Sequence, residues 1–175
     1  MKQLILGVFV LSLFSCNQQE DKKTSTPNYF DVAGYFKQEA VRLQKFNPTI
    51  HKIVSANGKN EQKNTHITNW ETELTSFSSA DINKASWKGE FTETLKNDNS
   101  LSYTTNNPKI PIKKIEIIKN HHQIKGIKIF KLTNNYLYTS TDTLLYYPDS
   151  LYFIRSEQKI KLLSKKIYQI KGEWK

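Results

Sequence analysis

Two stretches in the N-terminal half place apolar residues at helical steps. Tyr29, Ala33, Phe36, Ala40 and Leu43 recur every three or four residues and share one face. That spacing predicts a helix over residues 29–46. Asn28 with Asp31 resembles a capping arrangement, and Asn47-Pro48 stops the helix. Gly34 inside it costs about 1 kcal/mol relative to alanine, so the helix depends on packing. Trp70, Leu74 and Phe77 form a second stripe, which predicts a helix over residues 70–82. Asn69 is its expected N-cap, and Glu71 and Glu73 suit its positive end.

Between the helices, residues 49–55 and 60–67 flank Asn57-Gly58. This dipeptide is a strong hairpin signal, because both turn positions need a positive φ. After the second helix the pattern changes to strands separated by turn residues. The expected strands cover residues 87–95, 101–105, 112–119, 123–131, 136–147, 151–155, 159–163 and 167–172. Short strands joined by tight turns argue for an antiparallel meander, and no βαβ rhythm suggests a parallel sheet. The expected class is α+β: a curved antiparallel sheet of roughly seven to nine strands, one face packed on two N-terminal helices. Phe36, Leu43, Trp70 and Phe77 are the expected helix contribution to the core. Ile115, Ile117, Ile127, Ile129, Leu137 and some tyrosines are the expected sheet contribution.

The longest apolar run follows neither period. It spans residues 4–14, after Lys2, and ends at Ser15-Cys16. About eleven apolar residues fit the hydrophobic region of a secretory signal, whereas crossing a bilayer takes about 20. Leu13-Phe14-Ser15-Cys16 resembles the lipobox of bacterial lipoproteins. Leu13, Ser15 and Cys16 match its aliphatic, small and cysteine positions, and Phe14 is bulkier than the usual occupant. The resemblance covers only the first sixteen residues. It implies cleavage before Cys16, a diacylglycerol thioether on its sulfur and acylation of its new amino group. Two or more acyl chains anchor stably, where one does not. Asn17 lacks the aspartate that favours inner-membrane retention in that family, so the outer membrane is the expected location. Glu20-Asp21 resembles a weak surface-export patch, and which membrane face the protein occupies stays open.

Cys16 is the sole cysteine, so no intrachain disulfide is possible. Residues 16–27 are polar and read as a lipidated cysteine with a flexible tether. The domain plan is a signal peptide over 1–15, the tether over 16–27, and one α+β domain over 28–175.

Charge is uneven. The 175 residues carry a net charge of +10. Residues 16–109 hold 12 basic and 11 acidic side chains; residues 110–175 hold 13 and 5. On strands alternate residues share a face, so Lys113, Lys125, Lys128, Lys131, Lys159 and Lys161 are candidates for one cationic surface. Its partners would be anionic lipid or glycan. Against this, 24 of the 26 basic residues are Lys, and bidentate anion recognition favours Arg. The basic half is therefore either a binding surface or a compositional bias. Nucleic acid is not an expected partner of an exported protein.

Catalytic patterns are missing from the sequence. It has no Gly-x-Ser-x-Gly elbow and no glycine-rich phosphate loop. Glu90 and Glu93 would face opposite sides of a strand. The hairpin register places His51 opposite Asn64 and makes His66 a diagonal neighbour, about 7–8 Å away. A zinc site needs three or four ligands, and no Cys, Asp or Glu completes this pair. No metal or cofactor is expected. The reading is a non-enzymatic, membrane-anchored envelope protein that binds a partner protein or envelope polymer. The alternatives are a carrier of lipid or another hydrophobic ligand, with a cavity between sheet and helices, and then a hydrolase.

Overall fold

The computed structural model describes residues 28–96, 99–121 and 123–174. The expected signal peptide, the Cys16 lipidation site, the tether and His122 lie outside the described residues.

The expected α+β class holds. Helix α1 (Val32–Phe46) leads into a hairpin of β1 (Ile50–Ala56) and β2 (Lys59–Thr65). Two short helices follow, α2 (Trp70–Glu73) and α3 (Thr75–Ser78), then a 3₁₀ turn at Ala85–Trp87. Seven strands complete the chain: β3 (Thr92–Lys96), β4 (Ser100–Thr104), β5 (Ile112–Asn120), β6 (Gln123–Asn134), β7 (Tyr138–Tyr147), β8 (Leu151–Ile160) and β9 (Lys166–Glu173). All nine form one antiparallel sheet in the order β2-β1-β9-β8-β7-β6-β5-β4-β3. The early hairpin therefore docks on the last strand, with Ile53 opposite Lys171 and Val54 opposite Ile170. Both edge strands are exposed and mostly polar: Lys-Asn-Glu-Gln-Lys-Asn-Thr in β2 and Thr-Glu-Thr-Leu-Lys in β3. Such edges resist pairing with other chains.

Local chemistry sets the helix limits. α1 starts three residues later than the spacing predicts, because Asp31 is the cap and its carboxylate accepts from the Gly34 amide at 2.8 Å. The segment before it is clamped separately. The Tyr29 amide donates to Asn83 at 2.9 Å and the Phe30 amide to the Tyr103 hydroxyl at 3.1 Å. Asn69 caps α2, accepting from the Thr72 amide at 2.9 Å. The single helix expected over 70–82 breaks at Leu74, which has φ −91° and ψ 6°. The hydroxyls of Thr75, Ser78 and Ser79 donate back to the carbonyls of Glu71, Thr75 and Ser76. Hydroxyl side chains compete in this way with the regular helix ladder.

The strands differ from expectation in three places. β3 begins at Thr92, after Gly89 turns the chain at φ 79°. β8 is one strand of ten residues where two were expected. Leu137 is 66% exposed instead of buried, because residues 135–137 form the β6–β7 turn. There the Asn135 side chain accepts from the Leu137 and Tyr138 amides, both at 2.9 Å. The β1–β2 hairpin follows its expected register, with Ala56 opposite Lys59 and positive φ at Asn57 and Gly58.

The helices cover one sheet face. Phe36, Leu43, Trp70 and Phe77 pack there with Ile115, Ile117, Ile127, Ile129, Leu144, Tyr146 and Tyr152. The Phe36 ring lies 5.0 Å from both Phe77 and Tyr146. Trp174, just past β9, closes the cluster 5.8 Å from Trp70. The described residues, from Asn28 to Trp174, thus carry their own hydrophobic core, which is what independent folding requires.

Candidate functional site

The most buried polar chemistry joins helices to sheet. Glu39 on α1 receives a bidentate pair from Arg42, at 2.9 and 2.8 Å, and the Tyr146 hydroxyl at 2.5 Å. Arg42 also donates to the Pro148 carbonyl at 2.6 Å. Glu73 on α2 receives the Lys52 ammonium at 2.6 Å and the Tyr152 hydroxyl. Burial, reinforced by these carboxylates, pushes both tyrosines well above the ordinary phenol range. Burial likewise raises Tyr35, with Glu39 adding to it. The Glu39 hydrogen bonds hold the Arg42 guanidinium protonated above its ordinary range. Each carboxylate already has its donors, so these clusters fasten the helices to the sheet. The apolar space between the layers, which a hydrophobic-ligand carrier would need, is taken by Phe36, Trp70, Phe77, Tyr146 and Tyr152.

The six lysines do not share one face. Lys128 faces away from the helices, in register with Glu116 and Leu145. Lys131 lies three residues on and faces the helices, so it departs from the expected cationic surface. Its ammonium donates to the Ser76 carbonyl at 2.9 Å, and burial lowers its pKa. Lys113 sits in a register shift of β5 and donates to the Asn107 carbonyl at 2.7 Å. Lys125 is exposed beside a second shift in the β5–β6 pairing. Lys159 shares the outer face with Lys128 but pairs with Thr139, six positions along β7 from Leu145. That is about 20 Å at the rise of a strand. Lys161 leaves the sheet and sits 4.2 Å over the Tyr136 ring.

The histidines also part. His51 lies opposite Asn64 as expected, and its Nδ1 is 2.8 Å from the Asn64 side-chain oxygen. His66 falls beyond β2, with one ring nitrogen 3.2 Å from the Asn47 carbonyl and the other 3.4 Å from the Thr49 hydroxyl. Among the described residues no three His, Cys, Asp or Glu side chains gather as a metal site. His51 instead borders an open groove of about 750 Å³, with Thr49, Asn64, Ser150, Leu151, Glu173 and Trp174.

The sequence pattern gave no sign of how apolar the uncovered face is. Register carries Ile53, Lys171, Phe153, Leu145, Lys128 and Glu116 across β1, β9, β8, β7, β6 and β5 on that side. Leu151 and Tyr147 form the adjoining row. The Tyr147 ring lies over Gly126, where a Cβ would come within 2.9 Å of it. All these side chains but Gly126 are half-buried, although no helix covers them. Most charges on this side are paired, Lys128 being the exception: Lys114–Glu116 at 2.9 Å, Lys171–Glu173 at 2.6 Å, and Glu157 with Arg155 and Lys165. Lys114 holds Glu116 below the usual carboxylate range, and Lys165 with Arg155 does the same for Glu157. The face offers open apolar area interspersed with mostly paired charge, which suits a macromolecular partner better than a small polar substrate. No protein-family model, curated protein or solved structure matches the chain.

Proposed function

We propose that the chain is a lipoprotein of the bacterial cell envelope, anchored through Cys16 in the outer membrane. Its domain binds a partner protein or envelope polymer and performs no covalent chemistry. The anchor rests on the Leu13-Phe14-Ser15-Cys16 motif. The binding role rests on the uncovered sheet face, where Phe153, Leu145, Tyr147 and Leu151 form an apolar band, with Ile53 beyond Lys171. Bands of this kind on a soluble domain mark interaction surfaces.

The test is site-specific photocrosslinking in intact cells. A crosslinker replacing Phe153 should trap a discrete envelope component, and one replacing Lys37 on the helix side should not. The same bands from both positions, or none from Phe153, would overturn the binding role.

A further inference from the structure

Alternation of the antiparallel strands puts the β6–β7 and β8–β9 turns at the same end of the sheet. They lie side by side, tied by the Lys161 amide donating to the Leu137 carbonyl at 3.0 Å. Together they carry the two most exposed large apolar side chains of the described residues, Leu162 at 97% and Tyr136 at 82%, with Leu137 at 66% and Leu163 at 58% beside them. These groups are held outward by a bonded backbone. Asn135 accepts from two amides of one turn, and in the other the Leu163 amide donates to the Ile160 carbonyl at 3.1 Å. Leu162 also adopts φ 68°. The left-handed region is rare for a bulky residue, and such strain gathers at functional positions. A leucine both strained and solvated gains nothing within the domain.

The surrounding charge is one-sided. Residues 157–166 contain four lysines, Lys159, Lys161, Lys165 and Lys166, and one acid, Glu157. Glu157 is already paired with Arg155 and Lys165. Lys161 covers the Tyr136 ring. Leucine at an apex, tyrosine beside it and lysine around both matches the layers of a bilayer surface: acyl chains, interface and anionic phosphate. A protein partner would call for a different set, because interface hot spots favour Trp, Tyr and Arg over Leu, and interfaces are poor in Lys.

We propose that the paired tips at residues 135–138 and 161–166 form a membrane-contact site. Leu162, Leu163 and Leu137 insert into the interface of an anionic lipid surface, and Lys159, Lys161 and Lys166 engage its phosphates. This second contact would orient the domain on a bilayer. It belongs to the folded domain and does not rest on the Cys16 anchor or on the partner-binding face.

The experiment is vesicle flotation of residues 28–175, which lack the anchoring cysteine. The domain should float with phosphatidylcholine vesicles containing phosphatidylglycerol, and much less with phosphatidylcholine alone. Leu162→Asp with Leu163→Asp should weaken that partition about tenfold or more; Val41→Asp, on the exposed side of α1, should leave it unchanged. A polarity-sensitive dye on Leu163→Cys, the only thiol in this domain, should shift to the blue when anionic vesicles are added. Absence of flotation with anionic vesicles would overturn the proposal. So would partition that survives the double leucine change, or a dye that stays in water while the domain floats, since either would mean attraction by charge alone.

Discussion

Tyr146 and Tyr152 stand directly opposite each other on β7 and β8, and each hydroxyl donates to a carboxylate from a different helix. Tyr146 reaches Glu39 of α1, and Tyr152 reaches Glu73 of α2. One cross-strand pair thus fixes both helices over the sheet. The rings fill the apolar interior while the hydroxyls satisfy carboxylates at its margin, a division of labour that tyrosine suits.

Tyr146→Phe should destabilise the domain by about 1–3 kcal/mol, the usual cost of leaving a buried acceptor short of a donor. Each carboxylate keeps its cation, but Tyr152→Phe should cost less, because the Glu73 side chain is 17% exposed against 11% for Glu39 and water reaches it more readily. Urea midpoints at constant m-value measure both.

Stability should fall at alkaline pH. Folding raises the pKa of Tyr146, Tyr152, Tyr35 and Tyr103 above 10. Between the unfolded and folded values the unfolded chain binds fewer protons, so the free energy of unfolding decreases as pH rises. The contribution is complete below about pH 10, the unfolded phenol value, and is lost progressively above it. Thermal midpoints should drop from pH 9 to pH 11, and Tyr152→Phe should flatten the slope. A midpoint that stays level over this range contradicts the assignment.

Gly172→Ala should be costly although the residue lies in a regular strand. Its Cβ would fall inside contact distance of the Tyr152 ring, which sits against the residue from the neighbouring strand. Moving that ring disturbs the bond to Glu73 and the packing on Trp174 at 6.2 Å. A loss of about 1–3 kcal/mol is expected from overpacking. Gly58→Ala, with open space around it but φ 86°, should cost about 1–2 kcal/mol through backbone strain alone. Chemical denaturation of the two variants checks both.

Asp31→Ala removes the oxygen that caps α1 and should cost about 1 kcal/mol. Asn28→Ala should have no effect through helix capping. The two thermal midpoints separate the observed cap from the one that spacing alone suggested.

Where the pattern was strong, the fold was legible. The core isoleucines of β5 and β6, the Asn57-Gly58 turn, and Phe36, Ala40 and Leu43 of the α1 stripe lie where periodicity placed them, whereas Tyr29 precedes the helix and Val32 is buried in place of Ala33. What failed was local competition. The hydroxyls at Thr75, Ser78 and Ser79 broke a helix whose apolar stripe read as continuous, and Asn135 turned Leu137 out of the core. The docking of β1 on β9 was not legible, because a contact across more than a hundred residues leaves no local pattern. Lys131 was assigned by charge to a surface that its strand parity denies it. The apolar band on the outer face is hidden in the sequence because Phe153 and Leu145 alternate with the core residues Tyr152, Leu144 and Tyr146, so their strands read as ordinary buried ones.

The central claim is that this domain is held at a membrane by Cys16. Intact mass spectrometry of the protein extracted from envelope membranes tests it most directly. A chain beginning at Cys16 with added diacylglycerol and acyl mass is expected, and it should disappear when Cys16→Ala is expressed. A chain beginning elsewhere, or a free thiol at Cys16, would contradict it.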